Sequence, residues 1–527
     1  MTSFTRATPG RETAGGRMPT LWDRLWDPET VPTYWLTRFA ILRLLGLVYF
    51  IAFWTLVHQG LPLLGTHGLL PVADYLDRVA ETAGSTTGGL LRAPSLFWLS
   101  SSDALLLEVA WIGAALSLVV LLGYANGLIL LALWCLYISF VHVGQTWYSF
   151  GWEFQLLETG FLAVFLCPPI DARPFPKNPP PVLIIWLYRW LIFRIMLGAG
   201  LIKLRGDPCW SDLTCLLYHY ETQPVPNPLS RVLHFMPVWF HKLGVLFNYL
   251  AELVAPFFAF WPRTARLLAG LTFVSLQLIL IASGNLSFLN WLTIIPALAC
   301  FDDAFLKRVF PKRLVSLWQS AAAANAASPA AQRFAVSAVF VLVAVLSVQP
   351  TANLLSSRQI MNTSFDRLHL VNTYGAFGSV GRERAELIFQ GTSDEVIAAD
   401  TEWKEYEFKC KPGAVNRRPC LITPYHYRLD WLIWFAAMGT PERYPWSVHL
   451  IWKMLTNDER VLTLLAKNPF PEEAPRYVRV ELYRYEFAPL GDENWWRRER
   501  LGPWLPPLSA DDPGLREFLA ASGWLEE

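Results

Sequence analysis

Nine runs of apolar residues lie between positions 39 and 348, and short polar segments separate them. A helix needs about 20 mostly apolar residues to cross the hydrocarbon core of a bilayer, and most of the runs approach that length. The pattern therefore predicts an α-helical polytopic membrane bundle of about nine spans within residues 35–349. The predicted spans are 39–57, 104–122, 125–143, 150–166, 182–202, 237–261, 266–281, 287–300 and 334–348.

The pattern changes on both sides of this bundle. Residues 350–527 are predicted to form a C-terminal soluble α+β domain of ordinary size. Residues 1–34 are polar and rich in Gly, Pro and Thr, and we expect a disordered or interfacial N-terminal tail there. The C-terminal prediction rests on two segments with the alternation of strands and two with the spacing of helices: 386–390 and 477–487, then 428–437 and 446–465.

Composition is typical of a membrane protein that carries a sizeable soluble part. Hydrophobic residues make up 53% of the 527 residues and charged residues only 17%, against roughly 25% in soluble domains. The formal net charge of +1 argues against a nucleic-acid partner, which needs a basic face. Lys and Arg accumulate in the loops on the side of the N-terminus, and such loops face the cytoplasm. We therefore expect a cytoplasmic N-terminus, with the 203–231 loop and the C-terminal domain on the non-cytoplasmic side.

Two pairs of cysteines lie in polar segments that this topology places on the same side. Cys209 and Cys215 share the loop after the fifth predicted span, and Cys410 and Cys420 share a segment of the C-terminal domain. In an oxidising compartment such pairs form disulfides. We predict that both pairs are structural. A redox-active role for Cys209 and Cys215 is the alternative, although their spacing is wider than the exchange motif Cys-x-x-Cys.

The same loop carries the extended motif GLIKLRGDPCW followed by DLTCLLYHYETQPVPNPLS, and the C-terminal part contains NTYGAFGSVGRER, YEFKCKPG and RRPCLITPYHYRLDWLIWFAA. These runs resemble the lipase maturation factors, polytopic membrane proteins of the endoplasmic reticulum that help certain lipases to fold and leave as active dimers. The resemblance implies a membrane-bound maturation factor or chaperone, with a lipase-like client and membrane lipid as partners and no cofactor. It implies the endoplasmic reticulum membrane, or the plasma or inner membrane if the chain is bacterial.

The 203–231 loop is the predicted client-binding loop, because it gathers polar groups at a membrane edge, where they are costly unless they pair or face water. His219 and Glu221 could instead be metal ligands or an acid/base pair. The chain has neither His-x-x-x-His nor Cys-x-x-Cys to complete a zinc site, and we predict no metal. The residues assigned to client binding are Arg205, Asp207, Trp210, Asp212, His219, Tyr220 and Glu221.

Lys203 begins this loop and supplies the alternative function. At the end of a span, a lysine ordinarily extends its amine to the interface. The segment KL-x-G-x-x-x-W is, however, remotely similar to the membrane segment of vitamin K-dependent gamma-carboxylases, in which a lysine at the matching place is a base. Under this alternative the chain is a membrane enzyme that uses Lys203, with His219, on a quinone- or lipid-like substrate. We favour a protein without a catalytic site and expect Lys203→Ala to have little effect.

Charged residues inside the predicted spans need partners, because an isolated charge in lipid is costly. Glu153 and Glu158 lie five residues apart, about 140° around a helix, so they do not share a face. We predict a buried polar network that holds the bundle together, with a substrate site as the alternative. The members of the intramembrane network are Arg43, Glu153, Glu158, Arg194 and Glu252. The chain also lacks the lipase nucleophile elbow Gly-x-Ser-x-Gly, so we do not expect it to be a lipase itself.

Overall fold

The structure is a computed structural model that describes residues 32–324 and 328–525, so most of the predicted N-terminal tail lies outside the described residues. Helices dominate the chain up to residue 355, and a π-helical turn, Leu250–Val254, joins two of them. The helices are α1 (Trp35–Leu64), α2 (Val72–Ala83), α3 (Thr86–Arg92), α4 (Asp103–Leu122), α5 (Gly127–Val143), α6 (Gly151–Leu166), α7 (Val182–Arg205), α8 (Pro208–Ser211), α9 (Leu216–Thr222), α10 (Pro228–His234), α11 (Val238–Tyr249), α12 (Ala255–Phe258), α13 (Arg263–Ser283), α14 (Leu289–Ala297), α15 (Asp303–Leu306), α16 (Lys312–Ala324), α17 (Ala330–Leu346) and α18 (Val348–Leu355).

Among the described residues, five helical segments are long and apolar enough to cross a membrane: α1, α4, α7, α13 and the α17–α18 segment Ala330–Leu355. Helices also occupy the other four predicted spans, where α5 and α14 are shorter apolar helices. The helical membrane protein that the apolar runs predict is therefore confirmed. The count of nine spans stays a prediction.

The most extensive helix–helix contact in the bundle is between α1 and α4. A Cβ atom at Gly46 on α1 would meet the backbone of Leu121, and one at Gly113 on α4 would meet the ring of Phe53. The two helices approach this closely because both positions lack a side chain, as is common where membrane helices pack.

The two ends of the bundle contact different parts of the chain. At the start of α1, the carboxylate of Asp303 accepts a hydrogen bond from the backbone N–H of Trp35 at 2.9 Å. This bond ties α1 to α15. Near the other end of α1, the Gln59 amide donates to Tyr425 Oη at 2.8 Å and to the carbonyl of His426 at 2.9 Å. The C-terminal region therefore docks on the end of the bundle where α1 finishes.

The C-terminal region combines strands with helices. Its elements are β1 (Thr363–Ser364), β2 (Asn372–Thr373), β3 (Arg384–Thr392), β4 (Lys404–Glu405), β5 (Glu407–Phe408), α19 (Arg428–Ala436), α20 (Trp446–Leu455), α21 (Glu459–Leu462), β6 (Leu465–Lys467), β7 (Tyr477–Phe487), β8 (Trp496–Ser509) and α22 (Pro513–Ala521). The main sheet is antiparallel, in the order β4-β3-β7-β8. The two segments predicted as strands lie in β3 and β7, which pair along the whole of β3.

One of the two helices predicted in this region ends earlier than expected. The helix α19 covers the first predicted segment, but α20 ends at Leu455, well before residue 465. Asn457 then adopts a left-handed conformation, with φ +49°. The carboxylate of Asp458 accepts a hydrogen bond from the Val461 N–H at 3.0 Å and so caps the separate helix α21. Apolar spacing continues across this break, which is why the sequence pattern does not reveal it.

Candidate functional site

The loop after α7 folds into three short helices. Asp207 caps α8, because its carboxylate accepts a hydrogen bond from the Cys209 N–H at 2.9 Å. Cys209 and Cys215 form a disulfide, with Cα atoms 4.8 Å apart, that closes the turn between α8 and α9. The cysteine pair predicted from the sequence is thus joined, and it restricts this turn in the unfolded chain as well as in the folded one.

The C-terminal region covers this loop through hydrogen bonds. The indole N–H of Trp210 donates to the carbonyl of Phe377 at 2.8 Å. The buried guanidinium of Arg384 donates to the carbonyl of Glu221 at 2.8 Å and to that of Pro224 at 2.9 Å. The start of the C-terminal sheet therefore packs directly on this loop.

Most residues of the predicted client-binding loop lie inside this contact. Arg205 is exposed but tied to the chain beyond α18, because its guanidinium donates to Gln359 Oε1 at 2.7 Å. Asp212 is exposed as well, and Asp207 is partly buried. The loop by itself therefore offers another protein only a small surface. Its buried members are Trp210, His219, Tyr220 and Glu221.

His219 and Glu221 have different neighbours. Burial, with a contribution from the charge of Lys203, lowers the pKa of His219 to about 4, and its ring packs edge-on against Phe377. Burial raises the pKa of Glu221, against the opposing effect of the Phe487 N–H, which donates to its carboxylate at 2.6 Å. Within the described ranges, no three His, Cys, Asp or Glu side chains are grouped so that they could hold a metal ion. His219 and Glu221 are therefore packed inside the interface between the loop and the C-terminal region.

Lys203 turns into the protein and does not extend to the interface. Its amine donates to both carboxylate oxygens of Glu252, at 2.6 and 2.7 Å, and to Asn248 Oδ1 at 3.0 Å. The ring of Trp210 lies on another side, with its centroid 4.9 Å from Nζ. Because an ammonium group has three N–H donors, these three acceptors leave none for another molecule. Lys203 is thus half of a buried ion pair with the π-helical turn.

Glu158 belongs to a second buried ion pair, which the C-terminal region completes. The guanidinium of Arg194 contacts the Glu158 carboxylate and also donates to the carbonyl of Asn372 at 2.6 Å. Tyr374 Oη and the Asn372 N–H donate to Glu158 Oε2 at 2.7 and 3.0 Å. The Asn372 side-chain amide donates to the same oxygen at 3.1 Å, so a guanidinium and three further donors compensate the buried carboxylate, as such a charge requires.

Glu153 is bound by a residue that sequence reasoning missed. Arg428, at the start of α19, donates to Glu153 Oε1 at 2.8 Å, and both side chains are completely buried. The indole N–H of Trp152 donates to the same oxygen at 2.8 Å, and Tyr137 Oη donates to the other oxygen. The guanidinium carbon of Arg428 lies 3.5 Å from the centroid of the Tyr148 ring. This ion pair joins the C-terminal region to the membrane bundle.

Three separate ion pairs take the place of the single intramembrane network that the sequence predicts. Arg43 belongs to none of them. Its guanidinium carbon lies 4.8 Å from the centroid of the Phe39 ring, and its Nε and Nη1 atoms are buried without a hydrogen-bond partner among the described residues. The pairs are Glu252–Lys203, Glu158–Arg194 and Glu153–Arg428.

The residues that complete these contacts stand in the motifs that carry the family resemblance. Asn372, Tyr374 and Arg384 belong to NTYGAFGSVGRER, and Arg428 belongs to YHYRLDW. An arginine at the start of an apolar helix was the available signal for Arg428, since a buried carboxylate needs a cation. Arg428 lies outside the predicted spans, and the predicted network did not include it for that reason.

The second predicted cysteine pair is also joined. Cys410 and Cys420 form a disulfide with Cα atoms 5.6 Å apart. The amide of Asn285, just after α13, donates to the carbonyl of Cys420 at 2.9 Å, so this disulfide loop packs on the bundle. A cavity of about 50 Å³ lies beside it, lined in part by Pro226 and Trp496. A space of this size holds no more than a few water molecules.

Comparison with known proteins assigns the family. The sequence model of the lipase maturation factor transmembrane domain matches residues 36–308, and that of the lipase maturation factor C-terminal domain matches residues 370–506. Lipase maturation factor 1 of Bos taurus is 51% identical over 93% of this chain and 92% of its own length, and that of Homo sapiens is 49% identical over 93% and 91%. Lipase maturation factor 2 of Homo sapiens is 29% identical over 93% of this chain and 85% of its own length. No solved structure matches the chain. With both domains matched and such relatives covered almost from end to end, the chain belongs to the lipase maturation factor family.

Proposed function

We propose that this chain is a membrane-bound maturation factor that assists the folding and assembly of lipases. The observation that carries the proposal is similarity along 93% of the chain to proteins named Lipase maturation factor 1. That name describes a role without catalysis. The surroundings of Lys203 agree with it, because its amine has no free donor for a substrate. A carboxylase-related enzyme is therefore not favoured.

We propose that the factor acts as a holding chaperone, which keeps a client bound until the client assembles. A client that has not yet met its partner subunit exposes an apolar interface, and an apolar surface on the factor covers it until assembly. Exposed apolar side chains are candidate contacts for such a client. The C-terminal region exposes Val396 at 77% and Leu490 at 56%, beyond opposite ends of the main sheet, and Leu421 at 70%, next to the Cys410–Cys420 disulfide. Arg205 and Asp212 are exposed on the loop after α7, which packs on the C-terminal region through Trp210, and we propose that they supply charged contacts to the client.

Buried polar contacts support a rigid holding surface. Arg428 pairs with Glu153 of α6, Tyr374 bonds to Glu158 of the same helix, and Arg384 bonds to the loop after α7. Breaking any of them leaves a buried charge or donor unpaired, which is strongly unfavourable. The client surface is therefore held fixed relative to the membrane.

We place the C-terminal region in the lumen of the endoplasmic reticulum, with the N-terminus in the cytoplasm. The support is the family, the basic loops at the N-terminal end, and two disulfides at the other end, since disulfides persist in oxidising compartments. The test uses sealed microsomes and a membrane-impermeant maleimide. A cysteine at the exposed Asp394 is labelled only after permeabilisation, and one at the exposed Arg173 is labelled before it. The reverse labelling pattern would show that the chain has the opposite orientation in the membrane.

The functional test is rescue of lipase secretion. Cells that lack their own maturation factor receive this chain together with a secreted lipase, and the activity in the medium is measured per amount of lipase made. Rescue is expected with the wild-type chain. Failure to rescue, with the chain folded in the membrane, would overturn the proposed function.

A charge-reversed variant locates the client surface. Reversing Arg205 and Asp212 together, as R205E/D212K, keeps the net charge and is expected to weaken client binding by about fivefold to thirtyfold, at about 1 kcal/mol per residue. The matched control is R173E/D171K, which reverses an ion pair at the other end of the bundle. Equal rescue of lipase secretion by the two variants would show that Arg205 and Asp212 do not contact the client, and that the client surface lies elsewhere on the C-terminal region.

A further inference from the structure

The end of the bundle away from the C-terminal region carries cations that have no acidic partner among the described residues. The described acidic groups at this end already have partners: Asp171 pairs with Arg173 at 2.6 Å, Asp302 pairs with Arg263 at 2.7 Å and with Arg266 at 2.9 Å, and Asp303 accepts hydrogen bonds from the start of α1. The cations that remain are exposed and form no ion pair within the described part of the chain. They are Lys177, Lys307, Arg308, Lys312 and Arg313.

The helix α16 has the pattern of a helix that lies in a membrane interface. None of its residues is fully buried. Its apolar side, with Leu314 and Trp318, packs against a small aromatic cluster that includes Phe39 of α1. Lys312 and Arg313, in its first turn, are exposed. Amphipathic helices with basic residues and a tryptophan bind at the boundary between headgroups and acyl chains.

Arg43 borders the same aromatic cluster from inside the bundle. It lies two turns along α1, about 12 Å from the helix start at the rise of an α-helix. Its guanidinium rests near the ring of Phe39, which stacks on Phe175 at 5.0 Å and meets Phe310, just before α16, at 6.1 Å. Two of its nitrogen atoms are buried and lack an acceptor among the described residues. A buried donor without an acceptor is unfavourable and calls for a ligand.

The cytoplasmic preference of basic residues explains the surface cations but not Arg43. That preference concerns loops that flank spans, whereas Arg43 stands inside an apolar helix. An acceptor for Arg43 has to reach into a place bordered by aromatic rings and by the apolar flank of α1. A phosphate attached to acyl chains has this combination of charge and apolar surface.

We propose that this end of the bundle binds the phosphate of an anionic phospholipid, with Arg43 as the inner ligand and Lys312 and Arg313 as ligands at the surface. The unpaired cations make an anionic headgroup preferable to a zwitterionic one. The amphipathic helix α16 follows the bilayer surface beside the site. This assignment is independent of the client and of the proposed function.

The test uses the full chain purified in mild detergent. Native mass spectrometry counts retained lipid, and thermal unfolding measures stabilisation by added phosphatidylserine or phosphatidylcholine. Phosphatidylserine is expected to stay bound and to raise Tm more than phosphatidylcholine does. The variant K312E/R313E should weaken retention by roughly thirtyfold, at about fivefold per basic residue. The control K242E/R358E makes the same charge change with two exposed residues on the side of the C-terminal region, and it should retain the lipid.

Four results would overturn the assignment. Equal stabilisation by the two lipids would show that the charge of the headgroup does not affect binding. Equal retention of phosphatidylserine by K312E/R313E and by the control would show that Lys312 and Arg313 are not ligands of the lipid. Inorganic phosphate that raises Tm as much as the lipid does would identify a site for a soluble anion. Arg43→Gln keeps a polar side chain without the charge, and it should reduce the stabilisation by both lipids, because both carry the phosphate. Unchanged stabilisation of this variant by phosphatidylserine would show that Arg43 is not the inner ligand.

Discussion

Replacing Lys203 with alanine leaves Glu252 buried without its cation. The side chains of the two residues are only 5% and 6% exposed, so water does not take the place of the lost amine. Breaking a buried ion pair in this way destabilises a protein by about 3–5 kcal/mol. We therefore expect Lys203→Ala to lower the free energy of unfolding by that amount. The sequence predicts a small effect, because the end of a span places the Lys203 amine at the membrane interface. The buried ion pair with Glu252 leads to the opposite expectation.

Removing both charges at once separates stability from function. In Lys203→Met with Glu252→Gln, neither partner is left as an unpaired ion, and such replacements are often neutral or stabilising. The double variant should unfold at nearly the wild-type free energy. If the pair only supports the bundle, the double variant should also rescue lipase secretion as the wild-type chain does.

The assay is unfolding by SDS in mixed micelles, paired with lipase activity in the medium per amount of folded factor. A single variant within about 0.5 kcal/mol of wild type, the usual scatter of surface substitutions, would refute the argument from burial. A double variant that folds normally but fails to rescue the lipase would show that Lys203 acts in function and would restore the enzyme hypothesis.

Three further outcomes are expected. Arg428→Ala should lower the free energy of unfolding by about 3–5 kcal/mol, because Glu153 keeps its buried charge without a cation; limited proteolysis should then release the C-terminal region sooner than in wild type. Replacing Cys209 and Cys215 by serine should cost about 2 kcal/mol, from the entropy of a short closed loop, and equal unfolding with and without reductant in the wild type would contradict this. Burial holds the pKa of His219 at about 4, below its usual value of 6.5, so the unfolded chain binds a proton first as the pH falls. The contribution of His219 to stability is complete above pH 6.5 and falls by about 3 kcal/mol on acidification to pH 4, and His219→Gln should flatten that part of the stability profile.

Local patterns determined much of the fold. The alternation in 477–487 predicts β7 because a strand with one buried face repeats every two residues. The apolar runs predict the helices of the bundle, since lipid imposes the same requirement on every span whatever its neighbours are. The position of Cys410 and Cys420 in one polar segment predicts their pairing for a related reason, since a short chain segment keeps the two sulfur atoms close.

Only the tertiary structure decided which cation meets each buried carboxylate. Glu153 pairs with Arg428, far along the chain, although Arg43 and Arg194 are nearer in sequence. Periodicity shows that a helix has an apolar surface, but a span that is apolar all round gives no sign of its rotation. The rotation follows from close packing, as where Gly113 admits the ring of Phe53. Partners of buried charges are therefore fixed by long-range contacts, and the sequence by itself determined only that such partners had to exist.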